Sequence, residues 1–103
     1  SREVRIEKIP FLQRIIIAHA KAFGVPVYVA TNLLESMISF DEPNRAEVND
    51  IISTLIMGSD GLVLAAETAV GEFPLECVRM IRKLINQYHH WTPNSRINEI
   101  LGL

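Results

Sequence analysis

Apolar residues recur along this chain in two alternating rhythms. Phe11, Leu12, Ile15, Ile16, Ala18, Ala20 and Phe23 form a broad stripe at helical spacing. Pro10 suits a first helical turn, where its missing N–H costs nothing, and Gly24 suits the left-handed position just past a helix end. The spacing predicts a helix over Pro10–Phe23. Pro26 cannot extend it, and Val27, Tyr28, Val29 and Ala30 follow as a short continuous apolar run. Such a run fits a strand buried on both faces of a parallel sheet. Thr31 or Asn32 can cap a short helix over Leu33–Ile38, and Phe40–Asn44 break the pattern as a loop.

The rhythm then repeats. A helix is predicted over Arg45–Met57, with Asn44 and Glu47 spaced as a capping box and Gly58 as its stop. Gly61–Ala65 reads as a second strand, Ala66–Gly71 as a loop at its end, and Pro74–Tyr88 as a third long helix. Ser1–Lys8 reads as an extended lead-in. Thr92-Pro93 is a break, and Ser95–Leu101 a last short helical patch. Two strands joined by helical crossovers should be parallel, with a right-handed connection. The result is a slice of an α/β fold. Polar residues at the carboxyl ends of parallel strands are where such folds do chemistry. That principle singles out Thr31 and Glu67.

Composition narrows the function classes. The chain has 103 residues, 49% hydrophobic and 21% charged, which suits a packed core and excludes disorder. Its formal net charge of -2 shows no basic surplus, so nucleic acid is not an expected partner. No apolar run approaches the roughly 20 residues that a membrane helix needs, and no signal peptide is visible. The single cysteine, Cys77, falls inside a predicted helix and reads as a buried structural thiol in a reducing, cytoplasmic setting.

From Ala30 the residues Ala-Thr-Asn-Leu-Leu-Glu-Ser-Met resemble the A-T-Q-M-L-E-S-M signature of pyruvate kinases. Pro43–Glu47 is similar to that family's P-T-R-A-E. Leu64–Ala69 with Gly71, Phe73 and Pro74 resembles its L-S-x-E-T-A-x-G-x-Y-P, and Glu76, Val78, Arg79 and Met80 continue in register. The resemblance runs over roughly residues 1 to 85, and several motifs in fixed order make it specific. It implies the last β/α units of a (β/α)₈ TIM-type barrel, with 1–103 a single partial domain and 86–103 a divergent tail. It also implies the family reaction, phosphoryl transfer from phosphoenolpyruvate to ADP giving pyruvate and ATP in glycolysis, with Mg²⁺ and K⁺ as cofactors. Thr31 then corresponds to the threonine whose hydroxyl contacts phosphoenolpyruvate and takes part in proton delivery. Arg45 begins a helix that lies at a subunit contact in the family, so a homo-oligomer is implied. The family's lysine and its carboxylate ligands for Mg²⁺ lie upstream of the Ser1 match. No metal ligand is therefore expected within these residues, and the piece alone is expected to be inactive.

Two positions depart from the pattern. Ala65 stands where the family has serine, and Asn32 where it has glutamine. The stretch after Pro93 does not resemble the start of the family's C-terminal domain. These departures keep open a non-catalytic module with an oligomerisation or regulatory role, and, more weakly, another phosphate-handling barrel enzyme. Simpler roles stay open for single residues as well. Thr31 can be only a helix cap, Glu35 a structural carboxylate, hydrogen-bonded or paired with a basic neighbour such as Arg45, and Glu67 either an anchor or a support behind the site. Met37, Met57 and Met80 read as core, and Arg79, Arg82 and Lys83 as a solvated face. His19 reads as packed or partly exposed, and His89 and His90 as too few donors for zinc.

Overall fold

A computed structural model describes residues 5–30 and 33–102. The chain runs α1 (Ile9–Ala22), β1 (Tyr28–Ala30), a 3₁₀ helix (Glu35–Ile38), α2 (Arg45–Met57), β2 (Gly61–Val63), α3 (Ala66–Ala69), α4 (Pro74–His90) and α5 (Ile97–Leu101). The strands pair in parallel, Tyr28 opposite Gly61, Val29 opposite Leu62 and Ala30 opposite Val63. The arrangement is α/β with a small parallel sheet.

Helix ends form where local chemistry demands them. Past α1, Val25 N–H donates to the Ala20 carbonyl at 2.8 Å and Gly24 N–H to that of Lys21 at 3.1 Å. This pair of bonds needs a left-handed residue, and Gly24 supplies φ +68°. α2 stops in the same way, with Gly58 at φ +104°. At the other end of α2 the capping box between Asn44 and Glu47 is fully formed.

Four local expectations need correction. Ile6–Lys8 is a 3₁₀ turn rather than extended lead-in. The short helix after β1 covers only Glu35–Ile38, and its cap position is Leu34, which has no side-chain oxygen to offer. The proposed caps Thr31 and Asn32 lie outside the described residues. β2 ends at Val63, and Ala66–Ala69 is a helical turn rather than loop. Two alanines and a glutamate are strong helix formers, but four residues are too few to display a period.

The core is one cluster between α2, α4 and the segment after β1. Leu33, Leu34, Met37, Ile51, Leu55, Cys77 and Leu84 are buried there, with Met80, Ile81 and Tyr88 packed against them. Of the predicted core methionines, Met37 is fully buried, while Met57 and Met80 are half-buried. Arg79, Arg82 and Lys83 are exposed along α4. α1 contributes little to this core. Ile17 alone is buried, whereas Phe11 and Ile16 remain 64% and 63% exposed. α1 meets α2 through few contacts, among them Arg14 Nη1 to Met57 Sδ at 3.3 Å. The strands are likewise not buried on both faces, since Tyr28 is 65% exposed. Two strands leave each other only one paired edge, so helices and further strands are needed to cover the rest.

The radius of gyration is 15.2 Å, against about 13 Å for a compact domain of 100 residues. The chain is open on the α1 side. Among the described residues, no helix is long and apolar enough to cross a membrane. The uncovered α1 stripe and the free edge of β1 are templates for association. The isolated chain should therefore self-associate, and its mass in light scattering should rise across a concentration series. A monodisperse monomer throughout would contradict this.

Candidate active site

The strands are aligned from their amino ends. Asp60 Oδ2 accepts from Val27 N–H at 2.7 Å, and Asp60 N–H donates back to the Val27 carbonyl at 2.8 Å. Ser59 Oγ donates to the Gly61 carbonyl at 2.7 Å. This clamp sets the register, so β1 and β2 finish level and their carboxyl-end segments emerge side by side.

After β2, Glu67 turns inward in the first turn of α3 and is fully buried. Its Oε1 accepts from Ala65 N–H at 3.0 Å, while Oε2 has no hydrogen-bond partner among the described residues. An acidic side chain suits this position because the first N–H groups of a helix lack partners. Cys77 Sγ donates to the Glu67 carbonyl at 3.7 Å from α4. Burial pushes the Cys77 thiol up, and the charges of Glu67, Glu76 and Glu47 push the same way. The thiol is therefore protonated at neutral pH, consistent with a packing role.

After β1 the chain enters the core at once, since Leu33, Leu34 and Met37 are buried. The two strand-end segments then seat on each other. Glu72 N–H donates to the Ile38 carbonyl at 3.0 Å. A Cβ on Gly71 would collide with the Glu67 carbonyl oxygen and meet Ile38 Cα at 3.2 Å. Only a residue without a side chain permits this approach.

The ion pair anticipated between Glu35 and Arg45 does not form. Glu35 is exposed, and the ion pairs among the described residues are Arg5–Glu7 and Glu76–Arg79, not Glu35–Arg45. Glu47 is the carboxylate that backbone groups hold in this region. Its Oε2 accepts from Ser36 N–H at 2.7 Å and its Oε1 from Asn44 N–H at 3.0 Å. A capping box was legible in the spacing, but the second acceptor reaching Ser36 was not. Arg45 is exposed in the first turn of α2, beside a broad depression of about 730 Å³ floored by Pro43, Asn49 and Ile52.

The structure thus brings Glu67, the Ile38 carbonyl and the Glu35–Ile38 segment together at one end of the sheet. Thr31 and Asn32, the substrate-contact candidate and its neighbour, lie in sequence between Ala30 and Leu33 but outside the described residues. Among the described residues, no group of three or more His, Cys, Asp or Glu side chains is placed to hold a metal.

A family model described as pyruvate kinase, barrel domain, matches residues 2–78, well over half of the chain. The chain belongs to the pyruvate kinase family. A pyruvate kinase of Thermotoga maritima is 46% identical over 85 residues, which is 82% of this chain and 18% of that protein. Pyruvate kinase 2 of Synechocystis is 42% identical over 82 residues, 80% of this chain and 14% of that protein. A crystal structure of a Cryptosporidium parvum pyruvate kinase superposes with a TM-score of 0.83 at 36% identity, covering 88% of this chain and 19% of that one. The chain therefore spans less than a fifth of the length of these pyruvate kinases.

The close approach at Gly71 yields a direct test. Gly71→Ala should destabilise the chain by about 1–3 kcal/mol, because backbone rather than a mobile side chain meets the new methyl. The expected readout is a lower urea midpoint at unchanged m-value.

Proposed function

We propose that this chain is the closing part of the barrel domain of a pyruvate kinase that moves the phosphoryl group of phosphoenolpyruvate to ADP, giving pyruvate and ATP. The observation that carries the reading is the joined pair of segments at the carboxyl ends of β1 and β2, built from residues of the matching motifs. In a (β/α)₈ barrel that end of the sheet is where active sites form. In this reading 1–103 is one partial domain, strands of the longer protein complete the barrel, and 86–103 is a divergent tail.

Thr31 is the residue of this chain that meets substrate. Its hydroxyl donates a hydrogen bond to the pyruvyl part of phosphoenolpyruvate as negative charge develops on the enolate, and helps deliver the proton to carbon. Glu67 and Asn32 support that loop from behind, and Glu35 stands at the start of the following 3₁₀ helix. Mg²⁺ and K⁺ serve the family reaction, but the described residues hold no fitting set of ligands. Arg45 contributes to a contact between copies in a cytoplasmic homo-oligomer, a role that suits its exposure beside the depression on α2.

One observation favours a second reading. Ala65 places a methyl group where the family has a hydroxyl, beside the N–H that Glu67 holds. A non-catalytic oligomerisation or regulatory module would tolerate that change.

Activity separates the two. In the full-length protein, Thr31→Ala should lower kcat for pyruvate formation by about 10²-fold or more, the scale of losing one donor to a developing oxyanion. Unchanged turnover of phosphoenolpyruvate would remove Thr31 from the site. The purified 103-residue chain by itself should form no pyruvate from phosphoenolpyruvate and ADP, and detectable formation would show that these residues suffice.

A further inference from the structure

Past α4 the chain turns back on itself. Trp91 N–H donates to the Tyr88 carbonyl at 3.3 Å. Thr92 and Ser95 then exchange two bonds, Thr92 N–H to Ser95 Oγ at 2.9 Å and Ser95 N–H to the Thr92 carbonyl at 3.0 Å. This turn brings α5 toward the exposed side of α2. A slot of about 190 Å³ lies there, walled by Ile52 and Ile56 of α2, Gln87 and Tyr88 of α4, Trp91, and Ile100 of α5. A cavity of about 150 Å³ holds a benzene-sized group, so the slot has room for an aliphatic side chain.

The walls carry no charge, and two of them are aromatic. Charged residues are depleted and Tyr and Trp enriched at the centre of contacts between proteins. Ile56 and Trp91 are open to solvent, at 53% and 41% exposure. α5 carries a ridge that matches the slot. Ile97, Ile100 and Leu101 share one helical face by their spacing. Ile100 forms a wall of the slot, whereas Ile97 and Leu101 are 79% and 64% exposed. Arg96 and Glu99 are exposed on the same short helix and its cap, one charge of each sign, which suits the polar rim of such a contact. Slot and ridge therefore lie side by side on one chain. A two-fold contact between copies requires this, because each copy's ridge then meets the other's slot. The slot also continues the depression beside Arg45, since Ile52 lines both.

We propose that α5 and this slot form a contact between two copies of the chain, with Ile97 and Leu101 of each copy seated against Ile56 and Trp91 of the other. The proposal rests on the reading of the protein as a homo-oligomer and extends the contact between copies assigned to Arg45. α5 lies outside the matched residues 2–78, so the family match does not account for its apolar ridge. Burial of that ridge by a second copy does.

The test uses the full-length protein. Sedimentation velocity over a dilution series gives the dissociation constant between copies. Ile97→Glu together with Leu101→Glu, both at exposed positions, should raise that constant by about 10-fold or more, the scale of losing anchor side chains at the centre of a contact. A constant within about twofold of the parent's would overturn the proposal. Cross-linking reads the geometry directly, and still decides if the glutamates unfold α5. Copies carrying Ile56→Cys, mixed with copies carrying Leu101→Cys and mildly oxidised, should give a disulfide-linked mixed dimer, while the native Cys77 stays buried in the core. A chain carrying both cysteines that links only within itself would show α5 closing its own slot, and would overturn the proposal. Arg45→Glu separates this contact from the reading it extends. Weakening by Arg45→Glu but not by the α5 pair would leave that reading standing and remove α5 from the contact. Weakening by the α5 pair alone would support the proposal and remove Arg45. A protein monomeric at every concentration would overturn both.

Discussion

Leu34, Met37, Ile51 and Cys77 meet in one solvent-free cluster drawn from three separate parts of the chain. Leu34 and Met37 arrive from the segment after β1, Ile51 from α2 and Cys77 from α4. Full burial of side chains of this kind stabilises by about 1.5–3 kcal/mol each, so the cluster outweighs any single polar contact nearby. Both strand-end segments are fastened to it. Glu67 reaches it through the Cys77 thiol, and the 3₁₀ helix through its own buried residues. Without this packing neither segment would have a fixed position, and the polar bonds would link parts free to move.

The cluster also explains why the chain is well ordered on one side and bare on the other. α2 and α4 present their apolar faces to each other and to the strand-end segments, which completes a small core. α1 has a wider apolar stripe than either, yet of its residues only Ile17 is buried. In a closed barrel an outer helix covers its own strand and a neighbouring one, and this chain offers α1 only β1. Membership in a family whose relatives are matched over less than a fifth of their length gives that bare face a natural explanation.

Two carboxylates show how burial and charge are combined at the candidate site. Glu47 has both oxygens on backbone N–H groups, which is the inexpensive way to hold a charge near a core. Glu67 is fully buried with one oxygen so held and the other without a partner among the described residues. Glu47 accepts from the Ser36 backbone in the 3₁₀ helix after β1, and Glu67 from the Ala65 backbone after β2.

Local periodicity and punctuation were enough to read most elements from the residues alone. The Pro10 and Gly24 boundaries, the Asn44–Glu47 cap and the two short apolar runs each depend on forces within a few residues, so α1, α2, α4 and the parallel order were legible. The ordered motifs around Thr31, Arg45 and Glu67 carried the family as well. Tertiary structure decided what depends on residues distant in sequence. Spacing gave no sign that Glu47 would reach Ser36 or that Gly71 would press on Ile38, because those partners meet only after α2 and α3 dock. The same holds for Glu35, whose charge suggested an ion pair with Arg45 until the fold turned it to solvent. Burial was the least legible property of all. Phe11 and Ile16 are as apolar as any core residue, and whether they are covered depends on which surfaces lie opposite them.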